Sequence, residues 1–348
     1  MNIEKKFDIS AWARPNIREM KPYSSARDEF HGSASVFLDA NENPYNAPYN
    51  RYPDPMQWRL KEKVAEVKGV SKECILLGNG SDEPIDLIMR AFCEPGRDSI
   101  LTLDPTYGMY EVAASINQVA CRKVRLTPDF QIDLPALMNA IDGTVRAIYL
   151  CSPNNPTGNS LDRESMDYVL EHYEGIVVID EAYIDFSTRS SFTQVLGKYP
   201  NLVVLQTLSK AWGAAGIRLG MAFASPEIIA LLNKIKYPYN VNQLTQEKAF
   251  ELLENQAQMQ AQLAQILFER ARLQKELTSL PLVRKIYPTD ANFILVDVGD
   301  ADYIYQKLVE RGIIVRNRNR VTLCVGCLRI TVGTKEENDA LLNALKTI

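Results

Sequence analysis

The sequence predicts an α/β protein in which helices cover a mostly parallel β-sheet. Two observations lead to this fold class. Between Cys74 and about Ser225, short runs that are apolar on both faces alternate with helical patterns, as expected for parallel strands joined by helices. After Thr278, a shorter series of strand and helix patterns follows. We therefore expect a large domain and a smaller α/β domain.

In chain order, the large unit begins with ECILLGNGSDE, a strand pattern that enters a Gly-rich turn, followed by the helix pattern PIDLIMRAF. The same order recurs in SILTLDPTY and MYEVAASI. Three further apolar runs, AIYLCSPNNPTG, GIVVIDEAY and NLVVLQTLSKAWG, each end in polar or small residues. Because ligands of such sheets bind beyond the carboxyl ends of the strands, these ends indicate a binding site.

A long helical pattern from about Gln243 to Thr278 follows, and its Gln-rich part is typical of a solvated helix face. After it, NFILVDV, GIIVRN and CLRITVG are strand patterns, whereas DYIYQKLVERG and KEENDALLNALKTI are helix patterns. We predict three parts: residues 1–45 as an N-terminal segment packing with the small domain, residues 46–245 as the large domain, and residues 246–348 as the small C-terminal domain. Both termini would thus build the smaller unit.

Composition excludes several classes of function. The 348 residues include 39 Lys and Arg against 43 Asp and Glu, a formal net charge of −4, so no basic face for nucleic acid or membrane is indicated. The two histidines, His31 and His172, are too few for a His-rich metal site and are expected to be structural. The charged N-terminus lacks a signal-peptide core, and no apolar run reaches the roughly 18 residues of a membrane span. We expect a cytoplasmic protein.

Six cysteines are scattered along the chain, which fits reduced thiols. Cys324 and Cys327 form a lone C-x-x-C against an apolar strand pattern. Since no second pair stands at ligand spacing, ordinary packing is a better interpretation than a metal site or a redox pair.

The strongest chemical signal is TLSKAWG, in which Lys210 follows an apolar strand pattern and hydroxyl residues flank it. A lysine amine can condense with a carbonyl to form a Schiff base. Hydroxyl groups, together with an arginine such as Arg218, can hold a phosphate group nearby. An ordinary loop is the alternative interpretation of this segment.

Three companion motifs stand at other strand ends. Asp180, in VVIDEAY, either caps a helix or holds a cationic ring nitrogen protonated. Asn155, in SPNNPTG, either forms a turn before Pro156 or donates to a ring oxygen. The turn GNGSDE opens a helix, and its backbone N–H groups could bind phosphate. It lacks the patterns of P-loop NTPases and of Rossmann dehydrogenases, so both classes are disfavoured.

In this order, the four motifs resemble the fold-type-I pyridoxal-phosphate (PLP) aminotransferases of the aspartate aminotransferase superfamily. Together with PNIREMKPY, LDANENP, RYPDP and GCLRITVGT, they resemble the histidinol-phosphate aminotransferase family over essentially the whole chain. The resemblance implies a PLP-dependent transferase of histidine biosynthesis. Its substrates would be L-histidinol phosphate and 2-oxoglutarate, its products imidazole-acetol phosphate and L-glutamate. The large domain, with a mostly parallel sheet of the seven-stranded type, would bind PLP, and a homodimer would share its active sites.

The resemblance also implies a role for individual residues. Among the catalytic residues, Lys210 would carry PLP as an aldimine, Asp180 would pair with the pyridinium nitrogen, and Asn155 and Tyr183 would contact the phenolic oxygen. Tyr107 would stack on the ring. The other cofactor contacts would hold the 5′-phosphate: Gly80, Ser81, Asp82, Thr207, Ser209, Arg218 and Tyr52 of the partner subunit. The substrate contacts would be Arg329 and Arg316 at its anionic group and Tyr23 at its phosphate.

Two enzymes of the same fold stay open as alternatives: an aromatic amino-acid aminotransferase and a threonine-phosphate decarboxylase. Both would use Lys210 and Asp180. A PLP-binding regulator is disfavoured, because the length and charge leave no room for a DNA-binding module. Arg318 and Arg320, in VRNRNR, are expected to be solvated loop charges more often than ligands, although one of them could assist electrostatically.

Overall fold

The computed structural model describes residues 7–24, 32 and 34–348, so His31 lies outside the described residues. Its centre is a seven-stranded sheet with the order β1-β7-β6-β5-β4-β2-β3. The strands are β1 (Ile75–Asn79), β2 (Ser99–Asp104), β3 (Ala120–Arg125), β4 (Val145–Cys151), β5 (Ile176–Asp180), β6 (Leu202–Thr207) and β7 (Leu219–Ala224). All neighbours are parallel except β7, which runs antiparallel to β1 and β6. The predicted fold class is confirmed.

The central strands are buried on both faces, which explains their continuous apolar runs. Every residue of β5 and of β6 is buried. Two apolar clusters cover the two faces of the sheet, one containing Leu77 and Ile179, the other Leu76 and Val178. Because successive side chains of a strand point to opposite faces, neighbouring residues of one strand enter different clusters.

Helices pack on both faces of this sheet. In chain order they are α1 (Ile9–Trp12), α2 (Pro15–Glu19), α3 (Trp58–Lys68), α4 (Asp82–Phe92), α5 (Met109–Ile116), α6 (Leu134–Asn139), α7 (Arg163–His172), α8 (Pro226–Ile235) and α9 (Gln243–Glu254). Side-chain caps start several of them: Asp133, Asp162 and Ser225 each accept a hydrogen bond from a backbone N–H of the first turn. Such caps satisfy groups that the helix itself leaves without partners.

The described part of the N-terminal segment lies against the large domain. Ala13 belongs to the apolar cluster on one sheet face. The backbone N–H of Arg14 donates to the carbonyl of Ala91 over 2.9 Å, and its side chain forms an ion pair with Glu94. The sequence led us to expect this segment beside the small domain. Ala13 and Ile17 are instead buried against the helices of the large one.

The smaller unit is an antiparallel four-stranded sheet with the order β10-β11-β9-β8. Its elements are α10 (Gln256–Thr278), β8 (Lys285–Ile286), β9 (Phe293–Asp297), α11 (Ala301–Glu310), β10 (Arg316–Asn317), β11 (Cys327–Thr331) and α12 (Lys335–Lys346). It has an apolar cluster of its own, to which Leu273 and Leu277 contribute. Ala249 and Leu253 of helix α9 belong to the apolar cluster that also contains Leu77 and Ile179 of the large sheet.

None of the helices in the described ranges combines the length and apolar character that crossing a membrane requires. Across the same ranges, no group of three or more His, Cys, Asp or Glu side chains could hold a metal ion. All six cysteines are free thiols, and burial raises the pKa of Cys324 to about 12 and that of Cys327 to about 11.

Helix α3 buries Lys61, which forms no ion pair with a carboxylate of the described residues, although the charge of Asp54 acts on it. Lys61 is only 1% exposed, and its ammonium lies 5.2 Å from the centre of the Trp58 ring. Burial and the nearby charge of Lys236 lower the pKa of Lys61 from 10.5 to about 8. An ammonium in such a place is destabilising, because water no longer solvates it.

We expect Lys61→Met to raise the free energy of unfolding at pH 7 by about 1 to 3 kcal/mol. Between about pH 8 and 10.5 the unfolded parent chain binds more protons at this residue than the folded chain, so parent stability rises with pH there and the gain of the variant shrinks. Urea denaturation at pH 7 and pH 10 measures both. The control is Lys63→Met on the same helix, whose ion pair with Glu66 predicts little change. Destabilisation of Lys61→Met at pH 7 would contradict this account.

Candidate active site

A cavity of about 660 Å³ opens where the carboxyl ends of β4, β5 and β6 face the small domain. Residues from both domains line it, among them Lys210 of the large domain and Arg329 of β11. The structure brings together thirteen residues with a predicted cofactor or substrate role: Gly80, Ser81, Asp82, Tyr107, Asn155, Asp180, Tyr183, Thr207, Ser209, Lys210, Arg218, Arg316 and Arg329. Their roles stay predictions, but their meeting in one cavity is an observation.

Lys210 lies in a tight turn after β6. The backbone N–H of Gly213 donates to the Lys210 carbonyl over 3.1 Å, which fixes the turn. The Nζ of Lys210 lies 5.4 Å from the centre of the Tyr183 ring. Burial and the charge of Arg329 lower the pKa of Lys210, and Asp180 partly opposes them. A lowered pKa favours the neutral amine, which is the nucleophilic form.

Asp180 is the last residue of β5, and its carboxylate is buried. One oxygen, Oδ2, accepts a hydrogen bond of 2.7 Å from the Tyr110 hydroxyl, and Oδ1 accepts one of 3.1 Å from the Ala182 N–H. Burial raises the pKa of Asp180, and these two hydrogen bonds oppose that effect. No basic side chain of the described chain forms an ion pair with this carboxylate. It is therefore suited to a cationic N–H group in the cavity.

Tyr110 is the clearest site residue that the sequence did not reveal. Its side chain is fully buried, between Tyr149 at 5.0 Å and Tyr107 at 5.6 Å from ring centre to ring centre. In the sequence it occupies an apolar position of helix α5, where an aromatic residue is explained by packing alone. Only the structure shows that the Tyr110 hydroxyl donates a hydrogen bond to Asp180.

The turn after β1 and the segment after β6 form one polar cradle. The hydroxyl of Thr207 donates to Ser209 Oγ over 2.9 Å, and Arg218 lies 3.5 Å from both Ser209 Oγ and the Asp82 carboxylate. The N-terminus of α4 opens onto the same place. Hydroxyl groups, a guanidinium and a helix N-terminus together form an anion site suited to phosphate.

This cradle requires glycine at Gly80, where the backbone has a φ of +67°. A Cβ at this position would lie 2.5 Å from the guanidinium of Arg218. Gly220 of β7 is needed as well, because a Cβ there would overlap the backbone of Gly80. The sequence motif GNGSDE thus reflects close approach of two backbones and one arginine.

The opposite end of the cavity is cationic. Arg316 of β10 and Arg329 of β11 face each other directly across the antiparallel pair. Like charges in such a pair are destabilising, so their retention favours an anionic ligand. Arg329 also donates through Nη1 to Asn155 Oδ1, which fixes the amide with its nitrogen free to donate elsewhere. Asn155 therefore connects the two ends of the cavity.

Arg318 also lines the cavity and is partly buried, so the expectation of a solvated loop charge is wrong for this residue. Arg320 is exposed, as expected. Thr106 and Cys151 are further lining residues that the motifs did not single out. Cys151 is the last residue of β4 and is buried. From the sequence alone it is not distinguished from the other apolar residues of this strand.

Two predicted residues lie outside this cavity. Tyr23 is 71% exposed and does not line it. Tyr52 stacks on Tyr239, with the ring centres 4.4 Å apart, and lines a neighbouring cleft. Since the resemblance assigns Tyr52 to the active site of the partner subunit, its position here does not test that assignment.

Comparison with known proteins places the chain in a family. The family model for aminotransferase class I and II matches residues 33–345. A histidinol-phosphate aminotransferase from Parabacteroides distasonis is 64% identical over 341 residues, which cover 98% of this chain and 99% of that protein. Among solved structures, a histidinol-phosphate aminotransferase from Clostridium acetobutylicum superimposes with a TM-score of 0.79 at 26% identity, covering 86% of this chain and 90% of that one.

A third similar protein has its cofactor bound. The structure of histidinol-phosphate aminotransferase from Sinorhizobium meliloti in complex with pyridoxal-5′-phosphate has a TM-score of 0.78 and 25% identity to this chain. The match covers 85% of this chain and 82% of the other.

Proposed function

Because the chain belongs to the class I and II aminotransferase family, we propose that it transfers the amino group of L-histidinol phosphate to 2-oxoglutarate. The products are imidazole-acetol phosphate and L-glutamate, in the synthesis of histidine. One observation carries this proposal within the family: Lys210 lines a single cavity together with an anion cradle and a second, arginine-rich anion site. This arrangement suits a phosphorylated cofactor on one side and a phosphorylated substrate on the other.

Three features of the cavity fit PLP. The cradle at Gly80, Ser209 and Arg218 matches a phosphate group. The buried Asp180 carboxylate has no ion-pair partner in the described chain and matches a protonated ring nitrogen. The partly buried Lys210 amine lines the same cavity, and the charges of Asp180 and Arg218 both act on it. When bound, PLP withdraws electrons from the substrate Cα and so makes its proton acidic.

The proposed contacts of the cofactor follow from these positions. Lys210 would hold it covalently through Nζ, Asp180 at the ring nitrogen, and Asn155 and Tyr183 at the ring oxygen. Tyr107, whose hydroxyl donates to Asp82 over 3.1 Å, would cover the ring face. The phosphate contacts would be Gly80, Ser81, Asp82, Thr207, Ser209, Arg218 and, across the dimer, Tyr52 of the partner subunit.

Lys210 is also the base of the reaction. With substrate and cofactor bound, the Nζ of Lys210 would be the group that takes the Cα proton. Burial and the charge of Arg329 lower the pKa of Lys210, which favours the neutral amine that a base requires. Asp180 meanwhile holds a proton in place at the ring nitrogen, because its buried carboxylate is stabilised by a cation beside it.

Tyr110 is a positioning residue in this scheme. Its hydroxyl occupies one lone pair of Asp180 Oδ2 and so orients the carboxylate within the cavity. Hydrogen bonds to charged groups contribute roughly 1.5 to 3 kcal/mol, so we expect Tyr110→Phe to lower kcat about 10- to 100-fold. The dissociation constant of PLP should rise as well, which equilibrium dialysis measures without turnover.

The matched control is Tyr149→Phe. This tyrosine is buried beside Tyr110, but its hydroxyl donates over 3.2 Å to the carbonyl of Ile85 rather than to a carboxylate. Both variants remove one buried hydroxyl, and only Tyr110→Phe should weaken PLP binding. Equal PLP dissociation constants in the two variants would show that the hydrogen bond to Asp180 has no special role.

At the substrate end, Arg329 and Arg316 would bind the phosphate of histidinol phosphate in one half-reaction and a carboxylate of glutamate in the other. A guanidinium binds either anion in a bidentate manner. Tyr23 would join them at the phosphate, which requires its segment to approach the cavity.

Exposed aromatic side chains support the proposed homodimer. Tyr45, Tyr49 and Tyr237 are each more than half exposed, and Leu244 is 60% exposed. Of these, Tyr49 and Leu244 line the second cleft together with Tyr52, and this cleft lies next to the N-terminal end of α9. Apolar side chains concentrated in this way mark a protein interface.

The proposal is tested by comparing substrates on the purified holoenzyme. We expect kcat/KM for histidinol phosphate to exceed the values for phenylalanine and for threonine phosphate by at least about 100-fold. A preference for phenylalanine would favour an aromatic amino-acid aminotransferase. Release of CO₂ from threonine phosphate would instead favour a decarboxylase.

A further inference from the structure

We propose that Arg318 determines substrate specificity by contacting the phosphate of phosphorylated amines, and that it contributes little to the binding of dicarboxylates. The inference rests on the proposed function and extends it to a residue that the motif resemblance did not assign.

The backbone holds Arg318 in the ladder between β10 and β11. Its N–H donates to the carbonyl of Cys327 over 2.9 Å, which continues the pairing of the two strands one residue beyond Asn317. Its own carbonyl accepts from Val321 N–H over the same distance, which closes the turn that follows. Within β10, Arg316 and Asn317 point to opposite sides.

The two sides of this segment have different partners. Asn317 and Asn319 donate to the two carboxylate oxygens of Asp302 on α11, over 2.6 and 2.8 Å. Arg316 and Arg318, on the opposite side, line the cavity. Arg318 is the more buried of the two, since Arg316 is exposed. Two asparagines clamped to one carboxylate thus hold Arg318 toward the substrate end.

The guanidinium of Arg318 has a buried N–H without an acceptor. Its Nε has no hydrogen-bond partner, and the same is true of Arg329 Nε. No carboxylate of the described chain forms an ion pair with either arginine. The two acidic side chains that line the cavity are engaged elsewhere, Asp82 with Arg218 and Asp180 with Tyr110. Since a buried donor without an acceptor is unfavourable, these groups favour a ligand rich in oxygen.

The charge at this end selects between ligands. Burial and the charges of Arg329 and Arg316 lower the pKa of Arg318 to about 10, so it stays protonated at neutral pH. Three neighbouring cations are neutralised better by a phosphate monoester, with a charge of about −1.5 to −2 and three acceptor oxygens, than by one carboxylate. A carboxylate has two oxygens, which one bidentate arginine can satisfy.

The test uses the holoenzyme of Arg318→Gln, with Arg320→Gln as the matched control. Both variants remove one positive charge from the same loop, but Arg320 is exposed and does not line the cavity. We expect Arg318→Gln to lower kcat/KM for histidinol phosphate about 10- to 100-fold, and kcat/KM for 2-oxoglutarate less than about 3-fold. Arg320→Gln should change both values less than about 2-fold.

Titration calorimetry of the same holoenzymes with inorganic phosphate gives a second readout that needs no turnover. The cofactor already fills the other anion site, so a loss of phosphate affinity of about 10-fold in Arg318→Gln alone is expected. Equal losses for both substrates, or a phosphate affinity that matches Arg320→Gln, would overturn the inference. If the parent enzyme fails to turn over histidinol phosphate, the proposed function is wrong, and calorimetry still decides the role of Arg318.

Discussion

Replacement of Lys210 by alanine is expected to lower kcat by about 10⁴-fold or more, because in the proposed mechanism one side chain would both hold the cofactor and move the Cα proton. The methyl group of alanine can do neither. Because Lys210 lies in a turn and is only partly buried, the fold should survive the change. Steady-state assays with histidinol phosphate and 2-oxoglutarate measure the loss, and far-ultraviolet circular dichroism checks the fold.

A small amine added to the Lys210→Ala variant provides the control. If the missing function is a base at the position of Nζ, methylamine or ammonia should restore part of the rate, and more of it as the pH rises. Repeated turnover by the variant without added amine would contradict the role given to Lys210.

Asp180→Asn is expected to lower kcat about 10²- to 10³-fold, because a neutral amide does not stabilise a proton on the ring nitrogen. In the protein without cofactor, the same substitution should raise the free energy of unfolding. Burial raises the pKa of Asp180, so the folded chain binds more protons than the unfolded chain just above pH 3.8, and stability falls as pH rises through that window. The variant should therefore unfold at higher urea concentration than the parent at pH 7.

Glu181→Gln is the matched control for this prediction. Glu181 follows Asp180 directly and is also buried, but its oxygens accept hydrogen bonds from Ser191, the Phe192 N–H and Gln206. Burial raises the pKa of Glu181 as well, so by the same linkage a neutral amide there should not lower stability at pH 7, and kcat should change little. A loss of kcat in Glu181→Gln as large as that in Asp180→Asn would show that any buried carboxylate at this strand end has the same effect.

The central strands and the main polar residues could be predicted from the sequence. Each buried strand is an apolar run, and the polar residue that follows the run lies at the cavity. A strand buried on both faces must be apolar throughout, as β5 is, and the residue that ends it faces the cavity. Asp180 and Lys210 could be identified for that reason. Each is a charged residue at or just after the end of an apolar run, which packing in the core does not explain.

The strands β3 and β7 did not stand out in the sequence. Strand β3 lies at the edge of the sheet and carries Arg122, Lys123 and Arg125, so its pattern is polar. Charged side chains on an edge strand oppose pairing with other chains. Strand β7 directly follows Arg218. Because Arg218 was interpreted as a phosphate contact, the residues after it were not interpreted as a strand.

The sequence motifs assigned no cofactor or substrate contact to Tyr110 or to Arg318, and the reason is different. Each depends on a contact between segments that are distant in sequence, the first with Asp180 and the second with the cavity beside β11. Alternation along the segment from residue 316 to residue 319 was available as a signal and would have placed Arg318 on the side of Arg316. The hydroxyl of Tyr110 had no such signal, since its helix position is apolar.

The most direct test of the proposed reaction follows the nitrogen atom. The holoenzyme is incubated with histidinol phosphate labelled with ¹⁵N at the amine and with unlabelled 2-oxoglutarate, and the products are measured by mass spectrometry. The account predicts one ¹⁵N-glutamate for each imidazole-acetol phosphate formed, with no CO₂ released. Unlabelled glutamate, ammonia as the labelled product, or no imidazole-acetol phosphate would contradict it.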